Sequence, residues 1–281
     1  MDYDFFSADE MKTMSAPMKI GILATVNPGG LPHLSLISSM QACAPRQMVW
    51  GQFTEGLCKQ YIRQNPKTGF LIMSLAKEMW QGKATFTHCA SSGPEYDLYN
   101  QLPMFRYNAY FGIHTVYYMD LVHHSGRQAL QMNAVVRAAV ETKAARALSG
   151  KPRGQPAMNT WTQRLFNQVD NLKFLAYVGE DGYPVVIPAI QAQAAGPGQV
   201  LFSISAYRQD LEKIPPGTSV AAFAMSLKMQ DVLVRGTFRG VRTFGLFRCG
   251  ALDVEWVYNS MPPKPDQIYP KTPLKAVTHD W

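Results

Sequence analysis

The sequence predicts a mainly β fold with short helices: two tandem antiparallel barrels of six strands each, joined by a helical segment. Three observations carry this prediction. The chain repeats itself at a constant shift, each copy is a series of short apolar runs cut by Gly-containing turns, and the one long stretch with helical spacing lies between the copies.

The repeat is read without gaps. "ILATVNPGGLPHLSLISSMQACAPRQMVW" (22–50) lies over "FLAYVGEDGYPVVIPAIQAQAAGPGQVLF" (174–202), a shift of 152 positions from Gly30 to Gly182. Leu23/Leu175, Ala24/Ala176, Val26/Val178, Gly30/Gly182, Pro32/Pro184, Gln41/Gln193, Ala42/Ala194, Pro45/Pro197 and Gln47/Gln199 are identical. Ordinary residue frequencies would give about two matches in such a window. The same shift later aligns "KATF" (83–86) with "RGTF" (235–238), so the chain holds two copies of one unit.

Each copy opens with an apolar strand, "IGILATV" or "KFLAYV", and turns at "NPGG" or "GEDG", the kind of turn that joins antiparallel neighbours. A second strand follows ("LPHLSLIS"; "YPVVIPAI"), then a turn and a third strand ("QMVWGQF"; "QVLFSIS"). A short helix comes next, at about 57–64 and about 207–213. "TGFLIMSL" with "TSVAAFAMSL", "GKATFTH" with "VLVRGTF", and "TVYYMDLV" with "ALDVEWVY" supply the remaining strands. Many short strands with few helices suit a small antiparallel barrel in each half. Between the copies, "RQALQMNAVVRAAVETKAARAL" (127–148) has helical spacing and stops at Gly150, and "KPRGQP" reads as a linker. "NTWTQRLFNQVDNL" predicts a helix capped by Asn159 or Thr160, with "SADEMKTMS" as its counterpart ahead of the first copy. The expected division is 1–126, a helical linker 127–158, and 159–281.

Composition narrows the function classes. The 281 residues, 47% hydrophobic and 17% charged, belong to the globular class. No apolar run approaches the roughly 20 residues of a membrane helix, so no membrane role is expected. The N-terminus "MDYDFFSADEMK" lacks the basic-then-apolar order of a secretion signal. Cys43, Cys58, Cys89 and Cys249 share no metal-like spacing and read as free thiols of a cytoplasmic protein. The pair His123-His124 has no further ligand at metal spacing, so no metal site is expected. The net charge of +7 is scattered, without a run of four basic residues or a nucleic-acid-binding signature. It excludes a nucleic-acid partner and favours an anionic small ligand. No catalytic triad, paired carboxylate or P-loop is present.

"ILATVNPGGLPHLSLI", a strand ending in "VWGQFTEGLCK", and a helix closing on "RQNP" resemble the pyridoxamine 5'-phosphate oxidase-like family, the FMN-binding split barrels. The resemblance covers about 20–90 well and 172–240 more loosely. It implies split barrels with FMN between them, the phosphate meeting the strand end and the following helix start, where open backbone N–H groups suit an anion. Residue by residue, it implies a cofactor site of Gln52, Thr54, Gly56, Cys58 and Lys59, with His33 and Ser35 near the phosphate or ring, Trp50 as a ring neighbour and Gln81 as an amide to the ring. At Cys58 the chain departs from the Ser-x-Lys that the family often carries. The same residues admit structural roles: Gln52 and Thr54 as partners of strand-end backbone, Lys59 as a solvated charge, Trp50 and Cys58 as core.

The second copy reads "SISAYRQDL" (203–211) where the first reads "GQFTEGLCK", with Asp210 placing a negative charge near the expected phosphate. One good site and one weak or empty site are therefore expected. The insert 91–118 holds six tyrosines with Arg106, Asn108 and His114, and is much shorter in the second copy. Arg106, Tyr107 and His114 are the expected substrate contacts, with packing between the barrels as the alternative. The resemblance thus implies an FMN-dependent oxidoreductase for a small-molecule substrate, or a binding or sensing protein for FMN, haem or deazaflavin. Two copies in one chain imply an intrachain pseudo-dimer, or a homodimer in which each barrel pairs with a second chain.

Overall fold

The computed structural model describes residues 2–52, 54–102, 112–150, 154–228, 230–260 and 266–272. Its first half runs α1 (Ala8–Met14), β1 (Lys19–Val26), β2 (Pro32–Leu36), β3 (Gln41–Ala44), β4 (Gln47–Gln52), α2 (Leu57–Gln64), β5 (Lys67–Ser74), β6 (Glu78–Ala90), α3 (Pro94–Gln101), β7 (Thr115–His124) and β8 (Gln128–Ala129). A long helix, α4 (Met132–Leu148), leads to the second half. There follow α5 (Thr160–Asn167), β9 (Leu172–Val178), β10 (Pro184–Pro188), β11 (Gln193–Ala194), β12 (Gln199–Ser203), α6 (Arg208–Leu211), β13 (Ser219–Met225), β14 (Asp231–Phe244), β15 (Phe247–Asn259) and β16 (Asp266–Tyr269).

Both halves form the same antiparallel sheet. The first has the order β2-β1-β5-β6-β7-β4-β3 with β8 on β6, and the second β10-β9-β13-β14-β15-β12-β11 with β16 on β15. The pairing keeps the shift of 152 residue by residue. Ile22 faces Leu36 and Leu71, and Phe174 faces Pro188 and Phe223. Gly69 faces Lys83, and Ala221 faces Arg235. Even the irregularity after Lys83 recurs after Arg235. Because a one-residue slip would exchange the two faces of a strand, so long an agreement in register makes the halves copies in three dimensions.

The sheets hold more than the six strands expected in each half. Each carries eight strands and stays open, with β2 and β3, or β10 and β11, as the ends of the path. The extra strands arise because the segment before β4 folds back as its own hairpin arm, Gln41 facing Val49, and because β8 and β16 add short edges.

Two local devices show why these residues build these elements. Ser7 and Glu10 form a reciprocal capping box at α1, and Asn159 accepts from the Thr162 N–H at α5, so both entry helices start on satisfied donors. Gly30 and Gly182 take φ of 76° and 79° in equivalent turns, a left-handed conformation that glycine adopts without steric cost.

Each half has its own core. Trp50, Phe70, Trp80 and Tyr117 fill the first, and Phe166, Phe202, Phe238 and Leu252 the second. A third core joins them: Ile22, Ala24, Leu34 and Leu71 pack with Phe174, Ala176, Val186 and Phe223. The halves meet so closely that a Cβ on Gly69 would fall 2.2 Å from the Pro184 carbonyl oxygen. Helix α4 packs on the second sheet, where the Thr142 hydroxyl accepts from the Ser203 N–H, and its Val135 and Ala138 reach the shared core. Its counterpart on the first sheet is α3, whose Tyr99 hydroxyl donates to the Ser39 and Val49 carbonyls. Among the described residues no helix is long and apolar enough to cross a membrane.

Candidate functional site

Helix α2 divides its side chains between two environments. Cys58 and Ile62, four apart, are buried in the first core, while Leu57 packs against the shared core and Tyr61 meets His33. Gly56 precedes the helix with extended backbone, and no side chain caps the N–H groups of the first turn, of which that of Lys59 donates to the Gly56 carbonyl at 3.2 Å. Lys59 is only 8% exposed, yet no carboxylate among the described residues forms an ion pair with it. Its ammonium folds back over the helix start, 3.5 Å from where a Cβ of Gly56 would stand. The nearby Glu55 is engaged elsewhere, accepting at 2.8 Å from the Gln52 amide.

Under this helix lies His33 of β2, 1% exposed and ringed by aromatic side chains from both halves. Tyr61 stands at 5.3 Å, Tyr258 at 5.6 Å and Trp256 at 6.4 Å between ring centroids, all edge-on. Burial, with Arg235 and Lys59 close by, pushes the imidazole pKa down to about 3, so His33 is neutral under physiological conditions. Among the described residues its Nδ1 has no hydrogen-bond partner, and neither has the buried hydroxyl of Thr25, which faces it across the β1–β2 ladder. Directly opposed residues present side chains on the same face of a sheet, so the two orphaned polar atoms lie on one face of neighbouring strands. Leaving buried polar atoms unpaired costs on the order of 1–3 kcal/mol each.

The second half completes the surroundings. The Arg235 guanidinium lies 4.4 Å from the centre of the Trp256 ring, a cation–π contact. Trp256 stacks on Tyr258 at 5.3 Å and donates its indole N–H to Gln267. No ion pair holds Arg235 among the described residues. The seam between α2–β2 and β14–β15 therefore combines two cations without ion pairs, a helix start with open donors, two orphaned polar atoms and three aromatic rings. Such a set suits an anionic ligand with a flat ring.

The structure brings together some of the residues singled out in sequence and separates others. His33 and Lys59 are in the seam, and Ser35, two residues along β2 from His33, is half-buried on the same face. Thr54 is exposed just ahead of α2. Trp50 lies in the first core, stacked on Tyr117 at 4.0 Å, and Cys58 is buried in the same core. Gln52 is buried and already bonded, accepting from the Tyr117 hydroxyl while donating to Glu55. Gln81 sits on β6 opposite Leu71, at the position equivalent to Leu233, with its Oε1 buried and unpaired. It shares its strand face with Lys83, which reaches Asp181, and so stands away from His33. His114 is exposed, its ring bonded to Thr115. Arg106 and Tyr107 lie outside the described residues.

Thr25, Tyr61, Arg235, Trp256 and Tyr258 are residues of this seam that the sequence reading does not place there. One signal was present: the last strand reads Trp256-x-Tyr258 where the first copy has His123-x-Ser125.

No protein-family model matches the chain, and no curated protein does either. Solved structures similar to it include an FMN-binding protein from Syntrophomonas wolfei subsp. wolfei, 14% identical with a TM-score of 0.36, covering 43% of this chain and 84% of that one. An F420 reductase is 14% identical with a TM-score of 0.35, over 43% of this chain and 98% of that one. A FAD-binding protein from Mesorhizobium loti is 12% identical with a TM-score of 0.31, over 45% and 97%. Each likeness spans less than half of this chain and most or nearly all of the other.

Proposed function

We propose that the seam binds a phosphorylated flavin, FMN, and that the chain is an oxidoreductase acting on a small molecule, with both halves of one chain supplying the site. The observation that carries this reading is the orphaned pair His33 Nδ1 and Thr25 Oγ1 near two cations that form no ion pair among the described residues. A bound anion with ring heteroatoms would satisfy both. Lys59, Thr54 and the open N–H groups of α2 would hold the phosphate, Arg235 would add positive charge, and His33 and Thr25 would hydrogen-bond the ligand. Trp256 and Tyr258 would flank the ring. A bound flavin supplies hydride or electron transfer, and the residues around it supply binding, orientation and charge.

A second reading is a protein that holds FMN, haem or deazaflavin without turnover. It fits a seam whose imidazole, His33, is buried among aromatic rings, its pKa pushed down to about 3 by burial.

The visible spectrum of the purified chain, as isolated and after adding FMN, tests both. Two separated flavin bands that bleach with NADH or NADPH and return with an added acceptor support the oxidoreductase. Flavin bands unresponsive to reductant, or a single Soret band, support the holder. A chain that is colourless and refuses FMN overturns the flavin reading.

A further inference from the structure

The shift of 152 that relates the halves also relates two seams, and the groups that β2 and α2 give the first are replaced in the second. His33 becomes Val185, Lys59 becomes Leu211 and Thr25 becomes Tyr177. Val185 and Leu211 pack with the second core, and Tyr177 is part of it. Across the second seam, Lys83 stands where the first has Arg235, and His123 where it has Trp256. The decisive change is in the turn after the first strand of each half. Gly29 of "NPGG" becomes Asp181 of "GEDG", and the Asp181 carboxylate takes Lys83 at 2.6 Å. Lys67 donates to the Asp181 main-chain carbonyl at 2.6 Å and lies over the Tyr183 ring, whose hydroxyl meets Thr85 at 2.8 Å. The cation equivalent to Arg235 is thus already neutralised from within the chain.

We infer that the protein takes up one anionic cofactor per chain, at the His33 seam, because Asp181 serves as the resident anion of the other. This rests on the flavin reading and adds to it a stoichiometry and a selecting residue. A carboxylate tethered in the same chain competes at high effective concentration with any free phosphate. Leu211 and Val185 take away the ammonium and imidazole that Lys59 and His33 offer at the first seam.

Titrating the flavin-free full-length chain with FMN and following quenching of flavin fluorescence gives the stoichiometry. One equivalent per chain is expected. Arg235→Ala should weaken binding at least tenfold, and Lys83→Ala should leave the affinity within twofold. Two equivalents of similar affinity, or a loss in Lys83→Ala matching that in Arg235→Ala, would overturn the inference while keeping the flavin reading. If FMN does not bind at all, the flavin reading fails. Calorimetry with inorganic pyrophosphate then decides the inference: one site lost in Lys59→Ala and kept in Lys83→Ala supports it, and two equal sites or none overturn it.

Discussion

The His33 seam and the Asp181 seam have the same strands in the same register, yet one is lined by charges without ion pairs and the other by an ion pair and apolar side chains. Backbone pairing depends on pleat alternation and turn geometry, which tolerate many side chains so long as the buried face stays apolar. A binding seam depends on a few named groups, and each can be lost singly. The fold is therefore held in common by the two halves while the polar groups along their seams differ.

The sharpest way to break this comparison is to exchange the roles of Lys59 and Leu211, which occupy equivalent positions. Leu211 is fully buried, so Leu211→Ala should cost about 2–5 kcal/mol of stability in urea unfolding. FMN affinity should not change in this variant, and a large loss of affinity would assign the second seam a binding role. Lys59→Ala should do the reverse. Losing a charge-assisted hydrogen bond, worth about 1.5–3 kcal/mol, corresponds to roughly 10- to 150-fold weaker FMN binding. Its unfolding midpoint without ligand should not fall, because the ammonium has no ion-pair partner among the described residues.

His33 separates the seams by pH. Its folded pKa of about 3 lies below the ordinary value of 6.5. The unfolded chain therefore takes up this proton first as pH falls. The stability it protects is complete above about pH 6.5, declines through the window from 6.5 to 3, and changes no further below. At about 1.4 kcal/mol per pH unit, the share lost between pH 6.5 and 5 is about 2 kcal/mol. His33→Gln should lose that much less than the wild type over the same interval in urea unfolding, and parallel curves would show that the ring is not shielded as described. Lys173, whose pKa burial lowers to about 8, titrates on the alkaline side and leaves this window unaffected.

The smallest effect belongs to the second seam's ion pair. Asp181 is half exposed, so Asp181→Asn should shift stability by only about 0.2–1 kcal/mol. Its effect should shrink in high salt, as screening requires. A much larger change would mark this contact as a main tie between the halves.

Much of the strand order could be read from the chain because the duplication supplied two noisy copies of one pattern. The turn at Gly30 and Gly182, the caps at Ser7 and Asn159, and helix α2 follow from local chemistry. Other elements misled. The helix expected over 207–213 shrinks to Arg208–Leu211, whose neighbours Pro215-Pro216 and Gly217 favour a turn. Trp50 and Gln52 carried a site motif, but their side chains alternate into the first core and its buried hydrogen bonds.

Sequence alone determined that this protein is a doubled, mainly β chain with a helix start rich in donors at 54–59, since periodicity, turn residues and repetition are local properties. Tertiary structure decided which donors count. His33 meets Arg235, Trp256 and Tyr258 only because the sheets pack face to face, with β2 of one half beside β14 and β15 of the other. That meeting spans some two hundred residues of chain, and hydrophobic burial, which joins the halves, is non-directional and leaves no spacing rule in the sequence.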